Sequence, residues 1–548
     1  MRITLASTLA SAIAMAALSV PAAAQDRPDP EAETLAPDRG VDVAPYIEAS
    51  QVVSVELQPG DDVVTYTRLA AGVDAAVGGR YSQAAVSVRY ERTIGWDDNV
   101  SDVDTVSGIA RGSLALAGPD VTFEAGGLAA RTRVDGNGAA SVGGFVNDDS
   151  TSQIYSVYAG PAVRTQVGVA EVTGAYRFGY TRVESPDAVF LAPGDEPADI
   201  LDEATTHKLG VRAGIAPDTV LPVGIGVGAG WNRQDVSNLD QRVDDKYARA
   251  DVTVPVSPNV ALVGGVGYED VEVSSRDAVR DADGDPVIGP DGRFVTDESQ
   301  PRQIAYETDG LIWDVGVMWR PSRRTQLQAQ VGRRYGSTTY YGSLAYAPNA
   351  SSSLSVNVYD QINSFGGQLT TALDDLGTDF DAIRNPVTGQ LGGCVASIEG
   401  DGCALARLGS LRSAIFRSRG VSVNYGMRAG RTSFGAGAGY DRRTFIAGED
   451  TVLAAIDGIA DESWWLAAYA ARQLDRQSTL SLGATGTVYD SGVGVEGSTF
   501  GYSLNAAYDR NFLAGLSGTA AIGLDGITRE DLPDYQAASA LVGLRYTF

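Results

Sequence analysis

Apolar and polar residues alternate in one segment after another of this chain, and the alternation runs to its last residue. Successive side chains of a strand point to opposite faces, so a period of two gives one apolar and one polar face. "STFGYSLNAAYDR" places Phe500, Tyr502, Leu504, Ala506 and Tyr508 on one face, against Thr499, Gly501, Ser503, Asn505 and Asp509. "TDGLIWDVGVMWR", "RTQLQAQVGRR" and "AGLSGTAAIGLDG" repeat the pattern. Each segment is about ten residues long and is bounded by Gly, Pro, Asp, Asn or Ser. The chain closes on "ALVGLRYTF", with Val542, Leu544, Tyr546 and Phe548 sharing a face. Termini ordinarily fray. A bulky apolar stripe reaching the final residue therefore reads as an anchored end.

Strands apolar on one face suit either a soluble sandwich or solenoid, which buries that face, or a transmembrane barrel, which shows it to lipid. The connections decide between them. Tight ones fall near 78–81, 118–120, 257–259, 321–324, 348–352 and 429–433. Long, acidic ones fall near 94–104, 135–150, 184–206, 236–246, 276–302, 363–412 and 447–461. The two kinds take turns along the chain, as in up-and-down barrels with short periplasmic turns and longer outer loops. With 78–81 periplasmic, the shortest outer connection lies near 335–339 and the last near 528–535. The count implies an all-β, antiparallel transmembrane barrel of roughly 22 strands, within a range of about 18–24.

"MRITLASTLASAIAMAALSVPAAAQD" has Arg2, an apolar run from Ile3 to Val20, and small residues Ala22, Ala23 and Ala24. It reads as a secretory signal peptide cut before Gln25 rather than a membrane anchor. The expected organisation is a signal peptide over 1–24, a disordered periplasmic tail over 25–44 and a barrel over 45–548. No later run reaches the about 18 apolar residues of a membrane helix. Acidic residues outnumber basic ones 69 to 42, for a net charge of −27, which opposes nucleic-acid binding.

Gly543, Tyr546 and Phe548 resemble the C-terminal signal that barrel-assembly machinery reads in outer-membrane proteins (Gly-x-x-aromatic-x-aromatic), with Leu541 replacing its usual polar residue. "PYIEASQVVSVELQPGDDVVTY", "RYERTIGWDDN" and "RRYGSTTYYGSLAYAPNASSSLSVNVYDQINS" resemble a group of alphaproteobacterial outer-membrane β-barrel proteins. They are more distantly similar to barrels associated with exopolysaccharide export. Similar chains sometimes carry the label of the preprotein translocase accessory subunit. That subunit is a short protein with one membrane helix, which this sequence does not provide. The resemblance implies a barrel in the Gram-negative outer membrane, in contact with its lipid, lipopolysaccharide and assembly machinery.

A TonB-dependent receptor also has 22 strands, but it needs an N-terminal plug domain, for which residues 25–44 leave no room. The expected function is a passive, porin-like channel or export conduit for anionic or saccharide solutes. The competing reading is a closed structural barrel whose acidic loops meet its surroundings. The predicted lumen face carries Arg89, Glu91, Arg111, Glu171, Arg177, Arg212, Arg249, Asp251, Asp314, Arg320, Arg324, Arg334, Arg428, Asp441, Arg443 and Arg545. These charges either meet solute or pair into a balanced ladder that stiffens the wall.

Cys394 and Cys403, in the longest loop of an exported chain, suggest a disulfide. Asp281, Asp283 and Asp285 have calcium-loop spacing, but Pro286 stands where Gly is required and Gly292 where the bidentate Glu belongs, so a β-turn is expected. The lone His207 has Ser185 and Asp202 nearby in sequence, yet no motif of nucleophilic or metal chemistry accompanies it. No catalytic residue, metal or cofactor is predicted. The loop over 363–412 either folds inward, with Arg407 and Arg412 meeting wall carboxylates, or lies on the surface.

Overall fold

The computed structural model describes residues 40–548 apart from 97–99, 101, 135–139, 142–150, 185–200, 291–292, 398–401, 408, 410, 493–497 and 530–533. The expected signal peptide and most of the expected tail lie outside these residues, as do Ser185 and Gly292.

The wall strands are β1 (Gly40–Gln58), β2 (Val63–Gly78), β3 (Ser82–Gly95), β4 (Val103–Ala117), β5 (Val121–Val134), β6 (Thr151–Val167), β7 (Ala170–Glu184), β8 (Glu203–Ile215), β9 (Gly224–Val236), β10 (Gln241–Ser257) and β11 (Val260–Ser275). They continue as β12 (Gln303–Ser322), β13 (Thr325–Arg334), β14 (Ser337–Asn349), β15 (Ser352–Asn363), β16 (Phe416–Ala429), β17 (Thr432–Phe445), β18 (Ala460–Gln473), β19 (Ser478–Asp490), β20 (Ser498–Leu513), β21 (Leu516–Arg529) and β22 (Tyr535–Thr547). Consecutive strands pair antiparallel throughout. Residues Tyr46 to Gln58 of β1 pair with Thr547 to Gln536 of β22, so the sheet closes on itself. Of 23 strands in this sheet, 22 cross the wall, and the remaining one, Ala140–Ser141, only extends the outer end of β5.

Closure leaves no edge to satisfy in lipid. The outer face is apolar, carrying Leu311, Val315, Leu466, Ile522, Val542 and Leu544 among its exposed residues. Exposed aromatics flank this band. Tyr90, Tyr268, Trp313, Tyr340, Trp464 and Phe500 ring one side, and Phe123, Trp319, Tyr346, Phe512, Tyr546 and Phe548 ring the other. An apolar belt between two aromatic girdles is the surface of a membrane-spanning barrel.

Loop lengths segregate by end. One end has tight turns such as 79–81, 118–120, 168–169, 258–259, 323–324, 350–351, 430–431 and 514–515. The other holds long connections, among them 276–302, 364–415 and 446–459. Two expected bounds shift. Strand β1 opens at Gly40 rather than 45, because residues 40–45 still pair with β2. The long connection expected over 236–246 is a turn over 237–240, because Gln241 already begins β10. The shortest outer turn, Tyr335–Gly336, has φ values of 52° and 65°, which a tight hairpin of the right twist requires.

Several inward tyrosines lie flat over a glycine of the neighbouring strand. The pairs are Tyr46 on Gly72, Tyr158 on Gly126, Tyr247 on Gly230, Tyr359 on Gly420 and Tyr469 on Gly435. A ring laid on a bare backbone fills the space that glycine leaves and fixes strand register. A Cβ on Gly72 would stand 2.5 Å from the Tyr46 ring and 2.6 Å from the Val88 carbonyl.

Two seams are unpaired at their outer ends. Strands β4 and β5 pair only up to Gly108 and Ala129, and the Gln153 amide bridges the carbonyls of Val106 (3.0 Å) and Ala130 (3.2 Å). Strands β14 and β15 pair only up to Gly342 and Val358, leaving 337–341 and 359–363 without a ladder between them.

Candidate functional site

The connection between β15 and β16 enters the barrel. Ser364 caps a helix, α1 (Phe365–Asp374), by accepting from the Gly367 amide at 3.1 Å, which satisfies one of its free N–H groups. A short hairpin follows, Asp381–Arg384 with Leu391–Ala396, closed at its far side by the Cys394–Cys403 disulfide. Phe365, Leu369, Leu373, Leu376, Leu391 and Leu411 are buried against the inward residues Ile109, Leu128, Ile154, Val183, Val236 and Val271 of the wall. On the opposite side of the bore, Cys394, Ala396 and Cys403 pack on Trp465, Ala467 and Tyr469 of β18. Val387, at the hairpin tip, packs with Val52, Tyr66, Ala507, Ala521 and Leu541 of β1, β2, β20, β21 and β22. The segment therefore meets the wall on opposite sides and crosses the bore as a plug.

Polar bonds join plug and wall between these apolar contacts. The Arg68 guanidinium donates to the carbonyls of Pro386 (2.9 Å) and Val387. Arg384 of the plug donates to the hydroxyls of Ser107 (2.6 Å) and Ser87 (3.2 Å). Burial holds the Arg384 guanidinium below its ordinary range, since desolvation penalises the charged form. Arg428 donates to the carbonyls of Ala396 (2.8 Å) and Asp379 (3.0 Å), one on each side of the hairpin. Thr378 reaches Gln83, next to the tight-turn end of β3, at 3.0 Å, so the plug runs deep.

Most of the predicted wall charges are paired. Arg89 holds Glu48 through two bonds (2.8 and 2.9 Å) and Glu91 at 2.9 Å. Arg177 joins Glu124 (2.6 Å) to Asp374 of α1 (2.9 Å), and Arg111 adds bonds to Glu124 and to the Tyr158 hydroxyl. Arg249 forks onto Asp314 at 2.7 and 2.6 Å, and Arg212 pairs with Asp251. Arg334 meets Asp245 (2.8 Å) and Glu269 (3.3 Å) between the rings of Tyr247 and Tyr335, each 4.6 Å away. Arg443 joins Asp441 (3.0 Å) to Gln368 of α1 (2.7 Å), and Arg545 pairs with Asp74 while lying 3.5 Å over Tyr46. Bidentate arginine–carboxylate pairs are the strongest of these contacts and stiffen a wall. Glu171, by the tight turn 168–169, pairs with Arg164.

One predicted wall residue is misplaced. Arg324 sits in the turn 323–324 and donates to the Pro348 carbonyl, because β12 runs on to Ser322. In the plug, Arg412 lies 3.9 Å from Asp461, whereas the Arg407 side chain falls outside the described residues. Asp281 accepts from the amides of Asp283 (2.9 Å) and Asp285 (3.0 Å), which makes a turn; among the described residues no cluster suited to a metal occurs. His207 lies in β8 among Phe178, Trp231 and Tyr176, whose hydroxyl is 2.8 Å from Nδ1. Gly543 faces Ser50 of β1, while Tyr546 and Phe548 stack edge-on at 5.1 Å on the outer face. Sequence reasoning did not single out Arg68, Gln234, Gln368, Asp374 or Arg384. The one local signal was Ser364, a capping residue placed before a weakly helical run.

No protein-family model and no curated protein matches the chain. Solved structures of similar shape include the siderophore receptor PiuA from Acinetobacter baumannii, at 10% identity over 92% of this chain and 82% of that one, with a TM-score of 0.38. The FrpB iron transporter from Neisseria meningitidis matches at 9% identity, 92% and 83% coverage, and a TM-score of 0.42. The ferric-catecholate import receptor Fiu from E. coli K12 matches at 10% identity, 92% and 81% coverage, and a TM-score of 0.43. At such identities and scores the likeness carries no argument, and the barrel rests on its own ladder, closure and girdles.

Proposed function

We propose that the chain is a transport barrel of the Gram-negative outer membrane, gated by the plug that its own residues 364–415 form. The carrying observation is that this one connection spans the bore from the β4–β11 wall to β18 and the β1/β22 closure. A barrel this wide either conducts or is filled from within. Here the filling is tied at both ends to neighbouring strands and meets the wall partly through bonds that water can replace. Opening exposes the arginine–carboxylate ladder, which suits hydrated anionic or saccharide solutes. Because each arginine of the ladder already holds a carboxylate, selectivity for anions is weak rather than steep.

Bilayer recording of the purified barrel tests this. Wild type is expected to dwell closed, and deletion of residues 367–409 to give large, steady conductance. A folded, heat-modifiable deletion barrel that conducts no more than wild type would overturn the reading and favour a structural barrel with a permanently closed bore.

A further inference from the structure

The plug hangs between β15 and β16, and those are the strands whose outer ends have left the wall. Asp360 and Ile362 face the same side as the lipid-exposed Val423, since Asp360 stands opposite Arg419, Ile362 opposite Arg417, and Val356 opposite Val423. Both are nevertheless buried. The tip of β15 has been drawn inward and β13–β14 covers its outer side. At that tip, Gln234 of β9 donates to Asn363 at 2.6 Å, and its amide oxygen accepts from the Ser364 amide and hydroxyl at 2.7 Å each. A residue of β9, six strands away around the ring, thus grips the end of β15.

Side chains replace the missing ladder. Arg417 forks onto Asp360 at 2.6 and 2.7 Å and reaches the Ser337 hydroxyl of β14 at 2.7 Å. Arg419 adds Asp360 at 3.2 Å, Ser337 at 3.1 Å and the Thr338 carbonyl at 3.2 Å. Continuing the existing register would set Ser337 opposite Asn363, Thr339 opposite Gln361 and Tyr341 opposite Tyr359. A complete ladder is therefore available to this seam and unused. The β4/β5 seam could likewise continue its register, with Ser107 opposite Ala130, but there a single glutamine amide bridges the gap in place of arginine–carboxylate stitches.

We infer that the outer β14/β15 seam is the hinge of the plug: splayed and stitched by Arg417, Arg419 and Asp360 when the plug is in, zipped into a backbone ladder when it is out. The two arrangements exclude each other, because the strand tip that Gln234 holds inward is the one that must return to β14. Backbone left unpaired in a barrel wall is costly, so zipping favours the open arrangement and the arginine stitches favour the closed one. The seam is then a two-state element that both plug and wall bias. This inference rests on the plug being the gate.

Cross-linking in the assembled barrel tests it, with the native disulfide kept oxidised wherever Cys394 and Cys403 are present. The pair Thr339→Cys/Gln361→Cys would lie opposite only in the zipped state. The pair Ser343→Cys/Asn357→Cys, on the same face and already opposite, is the control. Control cross-links are expected in every background. The seam pair is expected to cross-link slowly in the otherwise native chain, and severalfold faster with Arg417→Ala/Arg419→Ala or with residues 367–409 deleted. Equal rates in all three backgrounds would overturn the hinge, as would a seam pair that never forms in the deletion barrel while the control does. A seam that zips in a deletion barrel without added conductance supports the hinge and sinks the gate, so the two failures are distinct.

Discussion

Arg428 clamps both sides of the plug hairpin, and its removal should open the barrel measurably. Its guanidinium donates to the carbonyls of Ala396 and Asp379, with the carboxylates of Asp381 and Asp379 at 3.7 and 3.9 Å. A hydrogen bond from a charged donor is worth about 1.5–3 kcal/mol when sheltered. The Arg428 side chain is 39% exposed, so water recovers much of that, and the longer ion pairs count for little. The two bonds together then favour the docked hairpin by about 1–2 kcal/mol. Since about 1.4 kcal/mol is a factor of ten, Arg428→Ala should raise the open probability in bilayers roughly tenfold. Arg428→Lys keeps the charge on a shorter side chain with a differently shaped head, and should fall between. Hydrogen exchange over 381–396 should accelerate in parallel while the wall strands stay protected. An Arg428→Ala barrel with wild-type open probability and unchanged hairpin exchange would refute the clamp.

Three further outcomes follow from the wall. Gly72→Ala forces a Cβ against the Tyr46 ring and the Val88 carbonyl, and overpacking of this kind costs about 1–3 kcal/mol; the variant should lose its heat-modifiable band at a lower temperature, and an unchanged transition would show that the ring is not packed on the glycine. Replacing Tyr546 and Phe548 with serine should lower the amount of barrel in outer-membrane fractions, whereas wild-type levels would separate the terminal aromatics from assembly. A cysteine at Asp283 should react with a membrane-impermeant maleimide on intact cells while cysteines at Asn259 and Ser322 should not, and the reverse pattern would invert the orientation.

The strands were legible because lipid enforces a clean alternation on the outer face. Phe500, Leu504 and Ile522, or Val542 and Leu544, announce their side whatever lies within the bore. The inner face was harder to read. A lumen was expected to be polar, yet Ile109, Ile154, Val183 and Val271 point inward because the plug covers them, and no strand pattern says what a distant loop will cover. Asp374 and Arg384 acquire partners more than 190 residues away, Arg177 and Ser107, which local periodicity does not encode. Arg324 was counted on the wall although it already fell inside the turn read over 321–324, where a side chain has no strand face to follow. The Cys394–Cys403 pair was visible in the sequence because an exported chain with two cysteines has few other uses for them.

The placement of Val387 links two properties that are usually treated apart. Its side chain sits under the junction of the first and last strands, in one apolar cluster with Val52 of β1 and Leu541 of β22. In an arch, such a piece is fitted last and carries thrust from either side. Withdrawing the plug therefore removes a brace from the one joint that no turn of the chain secures. Permeability and mechanical endurance of this barrel are then antagonists: conditions that hold it open should also make the cylinder easier to unroll, and long-lived opening requires the joint between β1 and β22 to stand on its backbone ladder alone.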